Sequence, residues 1–182
     1  TENIMMAATL AEGETIIENA AQEPEIVDVA QFLNKAGANI SGAGTSTIVI
    51  QGGSELKGKD YRVMPDRIEV ATLMIAAAVT KGDVMVQGVV PDHIEPLIRK
   101  LKEAGAQVNI EPQGVRVIGN GTLQSVDIET LPFPGFPTDM QAQFMSLLTI
   151  ASGVGVVTET IFENRFMHAN ELMRMGANIR VE

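Results

Sequence analysis

Between Asp92 and Ala104 the apolar residues Ile94, Leu97, Ile98 and Leu101 recur at i, i+3, i+4 and i+7, with charged residues filling most of the gaps. That period predicts a helix with one buried stripe, and Gly105 behind it suits a left-handed C-terminal cap. A second helix is predicted over Asp66 to Thr80, where Asp66 and Glu69 stand at the spacing of a capping box. Short apolar runs at Tyr61-Arg62-Val63, Val84 to Gln87, Val108 to Ile110 and Val115 to Ile118 read as strands, the last two joined across Pro112-Gln113-Gly114. The unit is β-α-β-α-β-β.

This unit recurs. Ala36-Gly37-Ala38-Asn39, Ala104-Gly105-Ala106-Gln107 and Met175-Gly176-Ala177-Asn178 mark three copies, with 68 and 71 residues between successive glycines. Gly13, Gly82 and Gly153 precede those markers by 24, 23 and 23 residues, so two spacings agree across three copies. The expected fold is therefore α+β, three partial or complete copies of the unit, with helices either enclosed by sheets or packed on them in two layers. Copy one has no first strand and copy three no last strand, so the segment reads as a piece of a longer polypeptide. The polar, Gly-rich run Gly52 to Asp60 is the expected seam, dividing the chain into 1–57 and 58–182.

Composition narrows the function classes. Hydrophobic content of 45% and charged content of 20% in 182 residues describe an ordinary globular chain. A net charge of −10 disfavours nonspecific attraction to nucleic acid or an anionic membrane. Zero Cys removes disulfides and a thiol nucleophile, and two histidines are too few for a His-rich metal site. With no signal-like segment and no run of 18 apolar residues, the expected location is the cytoplasm.

Copy three departs from the pattern in an informative way. Four residues before the marker glycine all copies carry leucine: Leu33, Leu101 and Leu172. Eight before it stand Val29, Leu97 and His168, and eleven before it Ile26, Ile94 and Arg165. A guanidinium and an imidazole at core-facing positions require partners. The alternative is that this helix starts later and leaves Arg165 in a solvated loop. The same copy contains Phe133-Pro134-Gly135-Phe136-Pro137-Thr138-Asp139-Met140-Gln141, a stiff approach to a helix with Thr138 as expected N-cap and Gln141 completing a capping box. Asp139 then lies in the first turn, either as a helix-stabilising acid or as a rigidly held carboxylate able to accept a substrate proton. Ser41-Gly42-Ala43-Gly44-Thr45 resembles a phosphate loop only in composition, since it opens no helix and fits a hairpin turn.

Several segments together carry a family resemblance: Thr1-Glu2-Asn3-Ile4-Met5, Glu18-Asn19-Ala20-Ala21 with Glu23 to Asp28, Pro65-Asp66-Arg67-Ile68-Glu69, Phe136 to Phe144, and Thr158 to His168. The chain resembles the UDP-N-acetylglucosamine 1-carboxyvinyltransferase family of enolpyruvyl transferases. The resemblance implies an α/β prism in which residues 1–57 form the last unit of one domain and 58–182 the first two units of the other. It implies transfer of the enolpyruvyl group of phosphoenolpyruvate to the 3′-hydroxyl of UDP-N-acetylglucosamine in peptidoglycan synthesis, without metal or organic cofactor. Asp139 and Arg165 would be the catalytic residues, and Thr138, Asp139, Ile161, Phe162 and Arg165 would bind substrate. The family's Lys-Asn pair, its loop proton donor and further arginines fall outside these residues, so the rest of the polypeptide would be needed for activity. Two other readings remain open: an enolpyruvylshikimate phosphate synthase, against which the Glu163 to His168 run argues, and a noncatalytic folding or interaction module.

Overall fold

The computed structural model describes residues 1–119 and 121–182 and shows an α+β protein dividing into two compact units, Thr1–Met64 and Pro65–Glu182. The first unit contains α1 (Glu2–Leu10), β1 (Glu14–Glu18), α2 (Pro24–Ala36), β2 (Asn39–Ser41) and β3 (Thr47–Gln51). Its three strands form an antiparallel sheet in the order β1-β3-β2. Alternate residues Ile48 and Ile50 of β3 point inward and meet Met5 and Ala8 of α1 and Ile26, Ala30 and Leu33 of α2 in a closed apolar core. Gly42 and Gly44, both at positive φ, turn β2 into β3, so the glycine-rich segment is a hairpin turn.

The second unit begins with α3 (Arg67–Val79), followed by β4 (Asp83–Gln87), α4 (Glu95–Glu103), β5 (Gln107–Glu111) and β6 (Gly114–Ile118). Asp66 caps α3 as its position predicts, its Oδ1 accepting from the amides of Ile68 at 2.7 Å and Glu69 at 3.2 Å. The predicted helix over Asp92 to Ala104 is a 3-10 turn at Pro91–Ile94 continued by α4, and its stripe Ile94, Leu97, Ile98 and Leu101 is buried. Strands β4, β6 and β5 pair antiparallel in that order, which is the topology of the first unit's sheet. Helix α3 touches α4, β4 and β6 and buries Val70, Ala71, Met74, Ile75, Ala77 and Ala78 along one broad face, leaving Glu69, Leu73 and Ala76 exposed. One expected strand is missing: Tyr61-Arg62-Val63 has no ladder partner and is not a strand. Instead the Tyr61 hydroxyl donates to Asp28 Oδ1 at 2.9 Å, and its ring meets Phe32 edge to face.

The chain continues through β7 (Ile128–Glu129), α5 (Gln141–Leu148), β8 (Val157–Thr158) and α6 (Met167–Arg174). Strands β7 and β8 pair in parallel, and Phe144 and Leu147 of α5 are buried in the core of this unit. The marker glycines share one geometry. Gly37, Gly105 and Gly176 have φ of 122°, 95° and 101°, which a side chain would resist. In each case the following alanine amide bonds the carbonyl of the recurring leucine: Ala38 to Leu33, Ala106 to Leu101 and Ala177 to Leu172.

Candidate functional site

The site grows from the β7–β8 pair and the two segments that leave it. After β7, the Thr130 amide bonds the Thr158 carbonyl, and the chain then makes a tight loop closed by the Leu131 amide on the Phe136 carbonyl at 2.9 Å. Phe136 is buried and packs edge to face on Phe144 of α5, which pins the loop exit. The next residues, Thr138–Met140, form a single 3-10 turn ahead of α5. Arg67, in the first turn of α3, lies 5.8 Å from the ring centre of Phe133 in the same loop.

The expected cap is not made. Thr138 and Gln141 form no capping box: the Thr138 hydroxyl donates to Glu159 Oε2 at 2.9 Å, and the Gln141 side chain is buried with neither polar atom bonded. The reason is competition. Helix α5 begins only after the 3-10 turn, so Thr138 stands a turn away from the amides it would cap, and an ionised carboxylate is the stronger acceptor.

Beyond β8 the chain turns through Glu159 to Phe166 and enters α6 at Met167. The third helix does start later than its counterparts, so Arg165 precedes it; yet Arg165 is engaged on three sides. Its Nη1 donates to Thr138 Oγ1 at 3.0 Å and its Nη2 to Asp139 Oδ1 at 2.5 Å. Its guanidinium carbon lies 5.0 Å from the centre of the Phe162 ring. The Asp139 side chain stays 53% exposed, so a hydroxyl can still reach it. Of the five residues singled out, Thr138, Asp139 and Phe162 each meet Arg165. Ile161 joins through its main chain, its amide donating to Glu159 Oε1 at 2.9 Å.

Glu159 is the residue that sequence reasoning missed. Its Oε1 accepts from the Thr130 hydroxyl at 2.9 Å and the amides of Ile161 at 2.9 Å and Phe162 at 3.1 Å, while Oε2 takes the Thr138 hydroxyl. Partial burial alone would raise its pKa, but these bonds to the charged form outweigh it and hold the carboxyl below the usual glutamate range. Burial, with Arg165 beside it, lowers His168 below the ordinary imidazole value, only partly opposed by a hydrogen bond to the Arg165 main chain. Among the described residues no group of His, Asp and Glu could hold a metal ion, and no helix is long and apolar enough to cross a membrane.

The profile of the EPSP synthase (3-phosphoshikimate 1-carboxyvinyltransferase) family matches residues 1–182. The chain belongs to the EPSP synthase family. Among curated proteins it is 60% identical to UDP-N-acetylglucosamine 1-carboxyvinyltransferase 1 of Caldanaerobacter subterraneus, with all of this chain and 44% of that protein aligned. It is 57% identical to UDP-N-acetylglucosamine 1-carboxyvinyltransferase of Finegoldia magna and 56% to UDP-N-acetylglucosamine 1-carboxyvinyltransferase 1 of Staphylococcus aureus. The chain thus spans less than half the length of these relatives. Among solved structures, the enolpyruvyl transferase NikO of Streptomyces tendae superposes with a TM-score of 0.80 at 25% identity, over 96% of this chain and 42% of that one. Membership of the EPSP synthase family accounts for the α+β fold.

Proposed function

We propose that this chain serves an enzyme that transfers the enolpyruvyl group of phosphoenolpyruvate to the 3′-hydroxyl of UDP-N-acetylglucosamine, in the cytoplasm and at the entry to peptidoglycan synthesis. The observation that carries the reading is the Asp139–Arg165 pair, braced by Thr138 and Phe162, in a chain with 56–60% identity to proteins bearing that name. Residues 1–57 act as the last unit of one domain and 58–182 as the first two units of the other, and the active site needs further chain.

The chemistry asks for two things that this cluster supplies. The sugar hydroxyl must lose its proton as its oxygen bonds to the central carbon of the enol, and Asp139, on a short rigid turn, is the base that accepts it. As the methylene carbon takes a proton from an acid outside these 182 residues, the central carbon gains positive character, which the Asp139 carboxylate offsets until it accepts the hydroxyl proton. Arg165 offers a planar fork of donors to the substrate carboxylate or phosphate, and the Phe162 ring beneath it keeps that plane fixed. Thr138, Ile161 and Phe162 line the nucleotide-sugar side. Elimination then removes a proton from the new methyl group as the C–O bond to phosphate breaks, releasing inorganic phosphate and leaving the enolpyruvyl ether.

The test is phosphate release from phosphoenolpyruvate with UDP-N-acetylglucosamine or shikimate 3-phosphate as acceptor, on a polypeptide with the relatives' full length. Turnover with the nucleotide sugar is expected, and turnover with shikimate 3-phosphate alone overturns the reading. The 182 residues by themselves are expected to show no turnover.

A further inference from the structure

We infer that Glu159 is the positioning residue of this site: it orients Arg165 through the Thr138 hydroxyl on one side and the Phe162 ring on the other. The inference deepens the proposed transferase reading and rests on it for its kinetic consequence.

Four donors converge on this one carboxylate, and they come from three places in the chain: Thr130 after β7, Thr138 ahead of α5, and the amides of Ile161 and Phe162 in the turn after β8. Thr130 is itself fully buried, and its hydroxyl oxygen accepts from the Thr160 amide at 2.9 Å, so that end of the network is anchored in the protein interior. Fixing the Ile161 and Phe162 amides fixes the turn that puts the Phe162 ring under the guanidinium.

The other arm has a direction. A threonine hydroxyl has one proton to give. Glu159 Oε2 takes that proton, so Thr138 Oγ1 must present a lone pair to Arg165 Nη1. Because a carboxylate only accepts, the orientation cannot reverse while Glu159 is ionised, and the four bonds keep it ionised. Arg165 is thereby held from Thr138 with its second nitrogen turned to Asp139.

Glutamine fits poorly for a geometric reason. With its NH₂ at the Oε2 position it meets the Thr138 hydroxyl, whose proton then has no acceptor; with its NH₂ at the Oε1 position it faces three donors. Either way an isosteric change undoes one arm, and a merely space-filling role for Glu159 would not.

The experiment uses Glu159→Gln, Thr138→Val, Thr138→Ser and the double variant Glu159→Gln/Thr138→Val. On this chain, pH titration followed by NMR should show the Ile161 and Phe162 amide shifts moving with one midpoint below the usual glutamate range. That movement should vanish in Glu159→Gln, and its persistence there overturns the inference whether or not the transferase reading holds. On a polypeptide of the relatives' full length, Glu159→Gln and Thr138→Val should each lower kcat about 10–10²-fold, the scale of small misplacements of reacting groups, and Thr138→Ser, which keeps the hydroxyl, should recover most of the kcat lost in Thr138→Val. The double variant should be no worse than the weaker single one, since both break one relay; additive losses overturn the inference. Should Glu159→Gln fail to fold, the Thr138 pair decides: a valine variant with wild-type kcat, or a serine variant as impaired as valine, overturns it. An inactive wild-type enzyme would refute the transferase reading alone and leave the NMR result standing.

Discussion

Asn34, near the end of α2, hydrogen-bonds both main-chain groups of Ile40 in β2: its Nδ2 donates to the Ile40 carbonyl and its Oδ1 accepts from the Ile40 amide, each at 2.8 Å. The carboxamide thus supplies β2 with the partner that a further strand would otherwise provide. Asn34→Ala leaves both groups without it and should destabilise the first unit by about 1–3 kcal/mol. Asn34→Asp keeps the acceptor but loses the donor and should be similarly damaging. Urea melts of both variants check this, and an unchanged midpoint in either refutes it.

Asp139 distinguishes chemistry from helix stabilisation. Asp139→Asn preserves size while removing the proposed base, so turnover of a polypeptide of the relatives' full length should fall by about 10²–10⁴-fold. Its effect on stability should stay within about 1 kcal/mol, the scale of a solvent-exposed ion pair such as the one Asp139 makes with Arg165. Steady-state kinetics and a thermal melt on one preparation separate the two. Near-normal turnover with a lowered melting temperature would leave Asp139 as a structural acid.

Gln141 is 1% exposed and neither polar end of its side chain is bonded, although it opens α5 in the core of the second unit. An unsatisfied buried amide costs about 1–3 kcal/mol, so Gln141→Met, of similar length and flexibility, should raise the melting temperature by several degrees. Differential scanning calorimetry provides the check. A lower melting temperature would show that the amide is satisfied in solution.

Acid should weaken the second unit in two stages, both with the same sign. His168 and Glu159 have folded-state pKa values below their unfolded ones, so each adds stability above its unfolded pKa that is lost as pH falls through the folded one. The His168 contribution should decline as pH drops below its ordinary 6.5, and that of Glu159 below its ordinary 4.5. Chemical denaturation between pH 7.5 and 3 follows both. His168→Gln should flatten the upper stage alone, and Glu159→Gln the lower.

What the residue pattern revealed was what short stretches decide for themselves. The α4 stripe, the Asp66 cap and the three glycine closures depend on residues within two turns, and all appear in the structure. The failures share a cause. Tyr61 to Val63 has strand-like residues but finds no neighbouring ladder, which no local pattern could reveal. Thr138 has a cap's position and chemistry, yet its partner lies 21 residues onward. Glu159 escaped notice because each side-chain donor it gathers is more than 20 residues away, whereas Arg165 stood out by breaking a periodicity. A Thr-Glu-Thr triplet just after an apolar strand was the one available clue.

The three identical glycine closures bear on what can differ between the copies. Each joint sets the exit direction of its helix through main-chain bonds from an alanine amide to a leucine carbonyl, so the path downstream is insensitive to the residues two or three turns upstream. The upstream positions can therefore differ between copies while the closure stays the same. One copy retains Ile26 and Val29, another Ile94 and Leu97, and the third has exchanged the pair for Arg165 and His168. The same closing joint thus follows a helix with two apolar residues in two copies and a segment carrying a guanidinium and an imidazole in the third.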